Sequence, residues 1–370
     1  MSERVLVAMS GGVDSSVAAA ILKQQGLDVV GVTLHLWDYP DDGSVKSRCC
    51  APEDIHDARR VCDALEIPHF AFDRRELFLQ EVVNPFVDSY LDGLTPSPCV
   101  RCNRGVKLRE LVALADRLGA KRIATGHYAR TDVVNGAPRL LRAVDATKDQ
   151  SYFLHMLDRG TLERLCFPLG DWTKARVRQL ALDLGLPGAN KGESQELCFV
   201  PTGRYDAFVD ARADARVRPG PIVDTSGKVL GQHDGVHRFT IGQRKNIGVA
   251  LGHRAYVVGV DPDSGSVMLG DRELLLSEGA VLGEFTLAEG QQLPLSCEVA
   301  VRYRGQTHAA RVEAHPGGAR VRFEVPQAPV VRGQFAVLFD GDLVLGGGVI
   351  TQVLPAPAAN LGSSTIEVTP

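Results

Sequence analysis

Ser10-Gly11-Gly12-Val13-Asp14-Ser15-Ser16 stands where a short apolar run, Val5-Leu6-Val7-Ala8, gives way to helical spacing through Val17, Ile21 and Leu22. Glycines at a strand-to-helix turn let the backbone curl with its N–H groups inward, and the helix N-terminus adds partial positive charge. Ser10, Ser15 and Ser16 offer hydroxyls to phosphate oxygens. The lysine of the GxxxxGK[ST] pattern is missing, so a phosphate here would rest on backbone and hydroxyl groups. The plainer alternative is a Gly-rich turn without a ligand. The full run SGGVDSS is much more specific than a lone GxGxxG.

Cysteine supplies the second chemistry. Eight cysteines are unevenly spaced: Cys49, Cys50, Cys62, Cys99, Cys102, Cys166, Cys198 and Cys297. In Thr95-Pro96-Ser97-Pro98-Cys99-Val100-Arg101-Cys102-Asn103 two prolines disfavour helix before Cys99 and stiffen the loop. Cys102 is then expected at or near the N-terminus of the next helix, where a thiolate is stabilised. The plainer reading is half of a zinc knuckle completed by Cys49-Cys50, which lack the usual C-x₂-C spacing. Cys198, in Glu196-Leu197-Cys198-Phe199, reads by itself as a packed core cysteine. Lys148-Asp149-Gln150-Ser151-Tyr152-Phe153 reads by itself as a solvated loop.

These residues need elements to position them. Strand-like and helix-like pieces alternate through the first 200 residues: Asp28 to Trp37, Pro52 to Leu65, His69 to Phe72, Val106 to Leu118, Arg122 to Tyr128. Such alternation predicts a doubly wound parallel α/β sheet over 1–204. Short β-like runs with turn signals such as Asp261-Pro262-Asp263-Ser264-Gly265 then predict a connector domain over 205–275 and a β-barrel over 276–355. Residues 356–370 read as a frayed tail. With 44% hydrophobic and 23% charged residues in 370, wholesale disorder and fibrous folds are excluded. The net charge of −4 gives no global pull toward nucleic acid or membrane, but residues 201–260 carry nine Lys/Arg against five Asp, a local +4. Within them Arg216, Arg218, Arg238, Arg244 and Lys245 are candidates for contact with a polyanion. No membrane span or signal peptide is legible, so a cytoplasmic, reducing location is expected and a disulfide framework is not.

SGGVDSS by itself is similar to the loop of the ATP pyrophosphatases, which split ATP into AMP and pyrophosphate. Taken in order, SGGVDSS, TPSPCxxCN, Thr125-Gly126-His127-Tyr128, KDQSYF and ELCF resemble the tRNA-specific 2-thiouridylases of the MnmA family. The likeness covers nearly the whole chain, including Gly220-Pro221-Ile222-Val223 and Thr240-Ile241-Gly242-Gln243-Arg244. It implies ATP-dependent 2-thiolation of the wobble uridine of tRNA, with Mg²⁺. Ala8, Met9, Ser10, Gly11, Gly12, Val13, Asp14, Ser15, Leu34 and Gly126 would bind ATP. Cys102 would be the nucleophile and Cys198 the persulfide carrier, the two closing a disulfide during turnover. Ser97, Pro98 and Cys99 would meet the target base, and Lys148, Asp149 and Gln150 would touch tRNA. The implied partners are the tRNAs for Lys, Glu and Gln and a sulfur-relay protein or cysteine desulfurase. A common form of the motif has Asp where Cys99 stands. Two alternatives stay open: an iron–sulfur cluster on Cys99, Cys102 and Cys198 as sulfur carrier, and another SGGxDS enzyme such as an ammonia-using synthetase.

Overall fold

The structure is a computed structural model that describes residues 2–38, 52–192, 197–200, 203–213 and 216–357. The Cys49-Cys50 pair, Glu196 of ELCF and positions 358–370 of the tail lie outside the described residues.

Strands β1 (Arg4–Ala8), β2 (Asp28–His35), β3 (His69–Asp73) and β4 (Arg122–Ala124) are parallel. With β7 (Leu165–Cys166) they form one five-stranded sheet of order β3-β2-β1-β4-β7. Val5, Leu6 and Val7 are wholly buried, as expected for a parallel strand covered by helices on both faces. The helix Leu108–Leu118 buries Leu108, Leu111, Leu114 and Ala115, the i, i+3, i+6, i+7 stripe that its sequence spells. Gly119, left-handed at φ +69°, ends it.

Two β domains follow. Strands β8 (Gly220–Val223), β9 (Val229–His233), β10 (Tyr256–Asp261) and β11 (Ser266–Gly270) pair in the order β10-β11-β8-β9 around Ile222, Val257, Val267 and Leu269. The C-terminal strands β12 (Ser277–Leu287), β13 (Leu295–Ala300), β14 (His308–His315), β15 (Gly318–Gln327), β16 (Phe335–Asp340) and β17 (Leu343–Pro355) run β12-β15-β14-β13-β16-β17. Pairing of β12 with β17 closes them into a six-stranded barrel, which removes the exposed edges.

Three features depart from the sequence reading. The strand expected over Arg122 to Tyr128 stops at Ala124, which frees Thr125 to Tyr128 as a loop. The helix expected from Val106 starts at Pro98, because proline suits the first helical position, and it passes through a π turn over Cys102–Lys107. An unexpected hairpin, β5 (Arg130–Val134) and β6 (Ala137–Leu141), turns at Asn135-Gly136, both at positive φ. Its Leu141 pairs with Leu343 of β17, so a piece of the first domain extends the sheet of the barrel.

One hydrophobic cluster runs from Leu6 and Val32 through Phe78, Val100 and Phe199 to Phe335 and Phe339. The barrel therefore shares a core with the parallel-sheet domain. Among the described residues no helix is long and apolar enough to cross a membrane.

Candidate active site

The phosphate loop is built by its neighbours. The Met9 N–H donates to the Val32 carbonyl at 2.8 Å, and Thr33 Oγ1 donates to the Met9 carbonyl at 2.8 Å, so β2 holds the strand exit. Gly11 sits at φ +72°, and a methyl group on it would lie 2.5 Å from the Asp54 carbonyl oxygen. Both the conformation and the space therefore require glycine there. The Ser10 N–H donates to Ser15 Oγ at 3.1 Å, while the Ser15 and Ser16 hydroxyls donate to the Gly12 carbonyl at 2.9 and 3.0 Å. These bonds hold the curl ahead of helix α1 (Val13–Gln24). Ala8, Ser10, Gly12 and Asp14 are half-buried around the loop; Met9, Gly11, Val13, Ser15 and the neighbouring strand residue Leu34 are buried.

Gly126 closes the loop from the other side. A methyl group there would stand 2.7 Å from the Ser15 nitrogen and 2.9 Å from the Asp14 carbonyl carbon. Beside it Thr125 Oγ1 and His127 Nδ1 share a hydrogen bond of 2.8 Å. Burial, then the charge of Lys107, pushes the His127 pKa down to about 3, so the ring is neutral at physiological pH.

Asp14 does not point freely at a ligand. Lys174 Nζ lies 2.7 Å from both of its oxygens, and the Tyr128 hydroxyl donates to Oδ1 at 2.9 Å. Tyr128 is in turn paired with Gln150: the Tyr128 N–H donates to Gln150 Oε1 at 2.9 Å, and the Gln150 N–H donates to the Tyr128 carbonyl at 2.8 Å. Asp149 accepts from the Ala143 and Ser151 N–H groups at 2.9 and 3.2 Å and from Ser151 Oγ at 2.8 Å. The TGHY and KDQ segments thus brace the first turn of α1. Lys174 escaped the sequence reading because only its partner, 160 positions away, gives it meaning.

Lys148 lines a cavity of about 510 Å³ with Arg142, Tyr152, Arg302, Tyr303 and Arg304. Arg302 and Arg304, on the barrel, are exposed. This basic, aromatic concavity joins KDQ to a barrel loop that sequence reading passed over. Of the connector cations, Arg216 pairs with Asp88 and Arg238 with Asp210, each at 2.6 Å, whereas Arg218, Arg244 and Lys245 are exposed.

The cysteine segment differs from expectation. Ser97 precedes the Pro98–Arg101 turn, Pro98 is buried, and Cys99, half-buried, lies in the first turn. Cys102 sits a turn deeper at 5% exposure. Burial raises its pKa, opposed by the charge of Lys107. Cys99 is pushed up to about 11 by burial first and by Cys102 second. The thiolate expected at Cys102 is therefore a thiol in this state: depth in the helix outweighs the helix N-terminus. Labelling by iodoacetamide should be slow at pH 7 for both thiols and should keep rising through pH 9, as the thiolate fraction grows. Peptide mass mapping reads this, and a plateau below pH 8 would contradict it.

Cys198 is half-buried in the turn before Val200. It packs with Leu197 against the same hydrophobic cluster that contains Cys102, which brings the two cysteine segments to one core. None of the described cysteines is in a disulfide, so the Cys102–Cys198 bond implied by the resemblance is absent here. A buried, protonated Cys102 does not exchange readily. Among the described residues no three His, Cys, Asp or Glu side chains are grouped to hold a metal ion, so Cys99, Cys102 and Cys198 do not form a ready cluster site.

The barrel grips the cysteine segment at both ends. The Thr95 N–H donates to the Arg332 carbonyl at 3.0 Å, and Gln334 Nε2 donates to the Thr95 and Pro96 carbonyls at 2.9 and 3.3 Å. Beyond the cysteines, Arg101 and Arg104 reach Glu284 of β12 at 3.0 and 3.6 Å.

An α/β domain with a phosphate loop, a two-cysteine helix gripped by a closed barrel, and a small β domain between them define the class. Residues 3–202 match the model described as a tRNA methyl transferase HUP domain. Residues 207–271 match a tRNA methyl transferase PRC-barrel domain, and 282–350 an aminomethyltransferase beta-barrel domain. The chain is 59% identical over 363 residues to the tRNA-specific 2-thiouridylase MnmA of Sorangium cellulosum, covering 96% of this chain and 94% of that one. It is 46% identical to the protein of the same name from Moorella thermoacetica, over 94% of this chain and 99% of the other. For that of Geotalea uraniireducens the figures are 44%, 96% and 97%. The chain belongs to the MnmA family of tRNA-specific 2-thiouridylases.

Proposed function

We propose that this chain replaces the C2 oxygen of the wobble uridine of tRNA by sulfur, in an adenylation followed by a persulfide transfer. The observation that carries the reading is the pair of cysteine segments packed on one hydrophobic core in the domain that also carries the SGGVDSS turn. The C2 oxygen is a poor leaving group. Its attack on the α-phosphorus of ATP expels pyrophosphate and converts it into AMP, a good leaving group. The N–H groups of the loop and of the α1 N-terminus stabilise the charge that develops on phosphate. Mg²⁺ bound with ATP would supply further charge neutralisation at the phosphate oxygens.

Sulfur comes from a persulfide on Cys198, loaded by a sulfur-relay protein or a cysteine desulfurase. The terminal sulfur attacks C2 and AMP departs, leaving uridine joined to Cys198 through two sulfurs. Cys102, as thiolate, attacks the Cys198 sulfur, and the electron pair of the broken sulfur–sulfur bond goes to the sulfur on C2, which becomes the thione. An external thiol returns both cysteines to the reduced state. Cys102 must lose its proton for this step. The charge of Lys107, which lowers the pKa of both Cys102 and His127, favours that loss. Cys99, where an Asp acceptor is common, orients the uridine with Ser97 and Pro98.

The wobble base must leave its stack to reach these thiols. The cavity that Lys148 shares with Arg302 and Arg304 offers phosphate contacts, and Tyr303 offers a face for a base. The tRNAs for Lys, Glu and Gln are the expected substrates. Methyl transfer finds less support than thiolation, because paired cysteines and a phosphate loop serve sulfur chemistry. Incubation with α-labelled ATP should release AMP and pyrophosphate only when unmodified tRNA is present; release independent of tRNA would count against this function. Replacing Arg302 and Arg304 together by alanine should weaken tRNA binding and flatten its salt slope by about 0.7 log units per lost contact. An unchanged slope would move the RNA footprint elsewhere.

A further inference from the structure

Arg101 and Arg104 stand on either side of Cys102 in the cysteine helix, and both are exposed. Their guanidinium groups converge on one carboxylate of the barrel. Arg101 Nη2 lies 3.0 Å from Glu284 Oε1, and Arg104 Nη1 lies 3.6 Å from Glu284 Oε2. Each carboxylate oxygen thus meets its own guanidinium. The two non-bridging oxygens of a phosphodiester can reproduce that pattern.

The carboxylate is held there against its backbone preference. Glu284 sits at φ +45°, in the left-handed region that side chains rarely adopt and that glycine or asparagine would fill more easily. It lies where β12 shifts register against β17, between Gly283 and Thr286, and the next residue, Phe285, packs on the barrel core. Docking of the barrel does not account for this strain. The Thr95–Arg332 and Gln334–Thr95 hydrogen bonds and the shared hydrophobic cluster already join the two domains. The three side chains are 42 to 50% exposed, so their ion pairs are screened by solvent and add little stability. Pairs this exposed also separate at little cost. A strained carboxylate in two weak pairs is explained when it occupies arginines that a stronger anion will claim.

We propose that Arg101 and Arg104 form a seat for one phosphodiester of the tRNA strand beside the wobble nucleotide, and that Glu284 fills this seat in the free protein. On docking, the RNA phosphate takes both guanidinium groups and the Glu284 carboxylate turns to solvent. The seat is on the segment that carries Cys99 and Cys102, so a phosphate held there fixes the strand next to the thiols. Glu284 adds selectivity, because a loosely fitting polyanion must outcompete a carboxylate to enter. The inference rests on the tRNA reading proposed above.

The test is the affinity of the full chain for an unmodified anticodon stem–loop RNA as a function of salt, with ATP affinity and thermal melting measured alongside. The RNA is used intact and with a single methylphosphonate, which removes the charge of one phosphate, at each position of the loop in turn. Arg101→Ala combined with Arg104→Ala should weaken binding of the intact RNA about tenfold at low salt and flatten its salt slope by about 0.7 log units per lost contact. A methylphosphonate next to the wobble nucleotide should cause a similar loss in the wild type. In the double variant it should change affinity by less than about twofold, because the contact is already gone. Glu284→Gln should tighten binding about threefold at low salt and less at high salt, since a neutral amide competes poorly for the guanidinium groups. ATP affinity should not change in any variant. A double variant that binds RNA like the wild type would overturn the inference. So would methylphosphonates that act equally on both proteins, weaker RNA binding by Glu284→Gln, or a loss confined to ATP. If the double variant does not fold, Glu284→Gln decides: one neutralised phosphate should abolish its gain, and a gain that survives at every position overturns the inference. A wild type that binds no RNA would sink the tRNA reading and this inference with it, a result distinct from a failure confined to the variants.

Discussion

With Cys198 replaced by serine, tRNA-dependent release of pyrophosphate continues near the wild-type rate while thiouridine falls to below about one-thousandth. The separation follows from where the two chemistries lie. Adenylation depends on the loop that Ser10, Gly12 and Ser15 hold in shape, and none of those hydrogen bonds involves a cysteine. Serine carries no persulfide, so the activated uridine waits for sulfur that never arrives. The substitution exchanges one small side chain for another at a half-buried turn, and the packing of Phe199 beneath it is kept. Cys102→Ser should behave likewise at the level of product, but with uridine accumulating on Cys198, visible by mass spectrometry as a protein–RNA adduct. Thiouridine formed at wild-type rate by Cys198→Ser would remove that residue from the mechanism.

Gly126→Ala should cost about 100-fold or more in kcat/KM for pyrophosphate release, through ATP, while tRNA affinity stays within a few-fold. The added methyl would meet the Ser15 nitrogen at 2.7 Å and the Asp14 carbonyl carbon at 2.9 Å. Both are main-chain atoms of the turn that would hold phosphate, and they cannot yield as a flexible side chain could. Relief would have to come from a shift of α1, whose first turn is also fastened to Tyr128 and Lys174. Steady-state kinetics with varied ATP reads the loss; unchanged ATP dependence would mean that TGHY plays no part in the nucleotide site.

The phosphate loop and the parallel sheet were legible because their signals are local. SGGVDSS follows β1 as its sequence predicts, with Val13 to Ser16 already in the first turn of α1, and the apolar runs of β1 and β2 pair in register from Arg4 with Asp28 to Ala8 with Val32. The change to β structure after residue 200 is likewise written in its turn residues. The hairpin at Asn135-Gly136 carries its own turn signature in the sequence. Long-range partnerships left no local trace. Lys174 reads as an ordinary helix-start cation until Asp14 is beside it, and nothing near Thr95 announces Gln334. The two prolines argue against helix before Cys99, yet proline at a first helical position starts one, and the cysteine helix begins at Pro98. That one-turn shift carries Cys102 into the core and inverts the expected effect on its thiol.

The most direct measurement is mass spectrometry of the wobble nucleoside in unmodified tRNA after incubation with the purified chain, ATP, Mg²⁺ and a persulfide-donating desulfurase. Sulfur in place of the C2 oxygen, lost when ATP is omitted and lost in both Cys102→Ser and Cys198→Ser, is the result predicted. A wobble uridine that remains unmodified in the complete mixture, or that gains sulfur without either cysteine, would contradict the account.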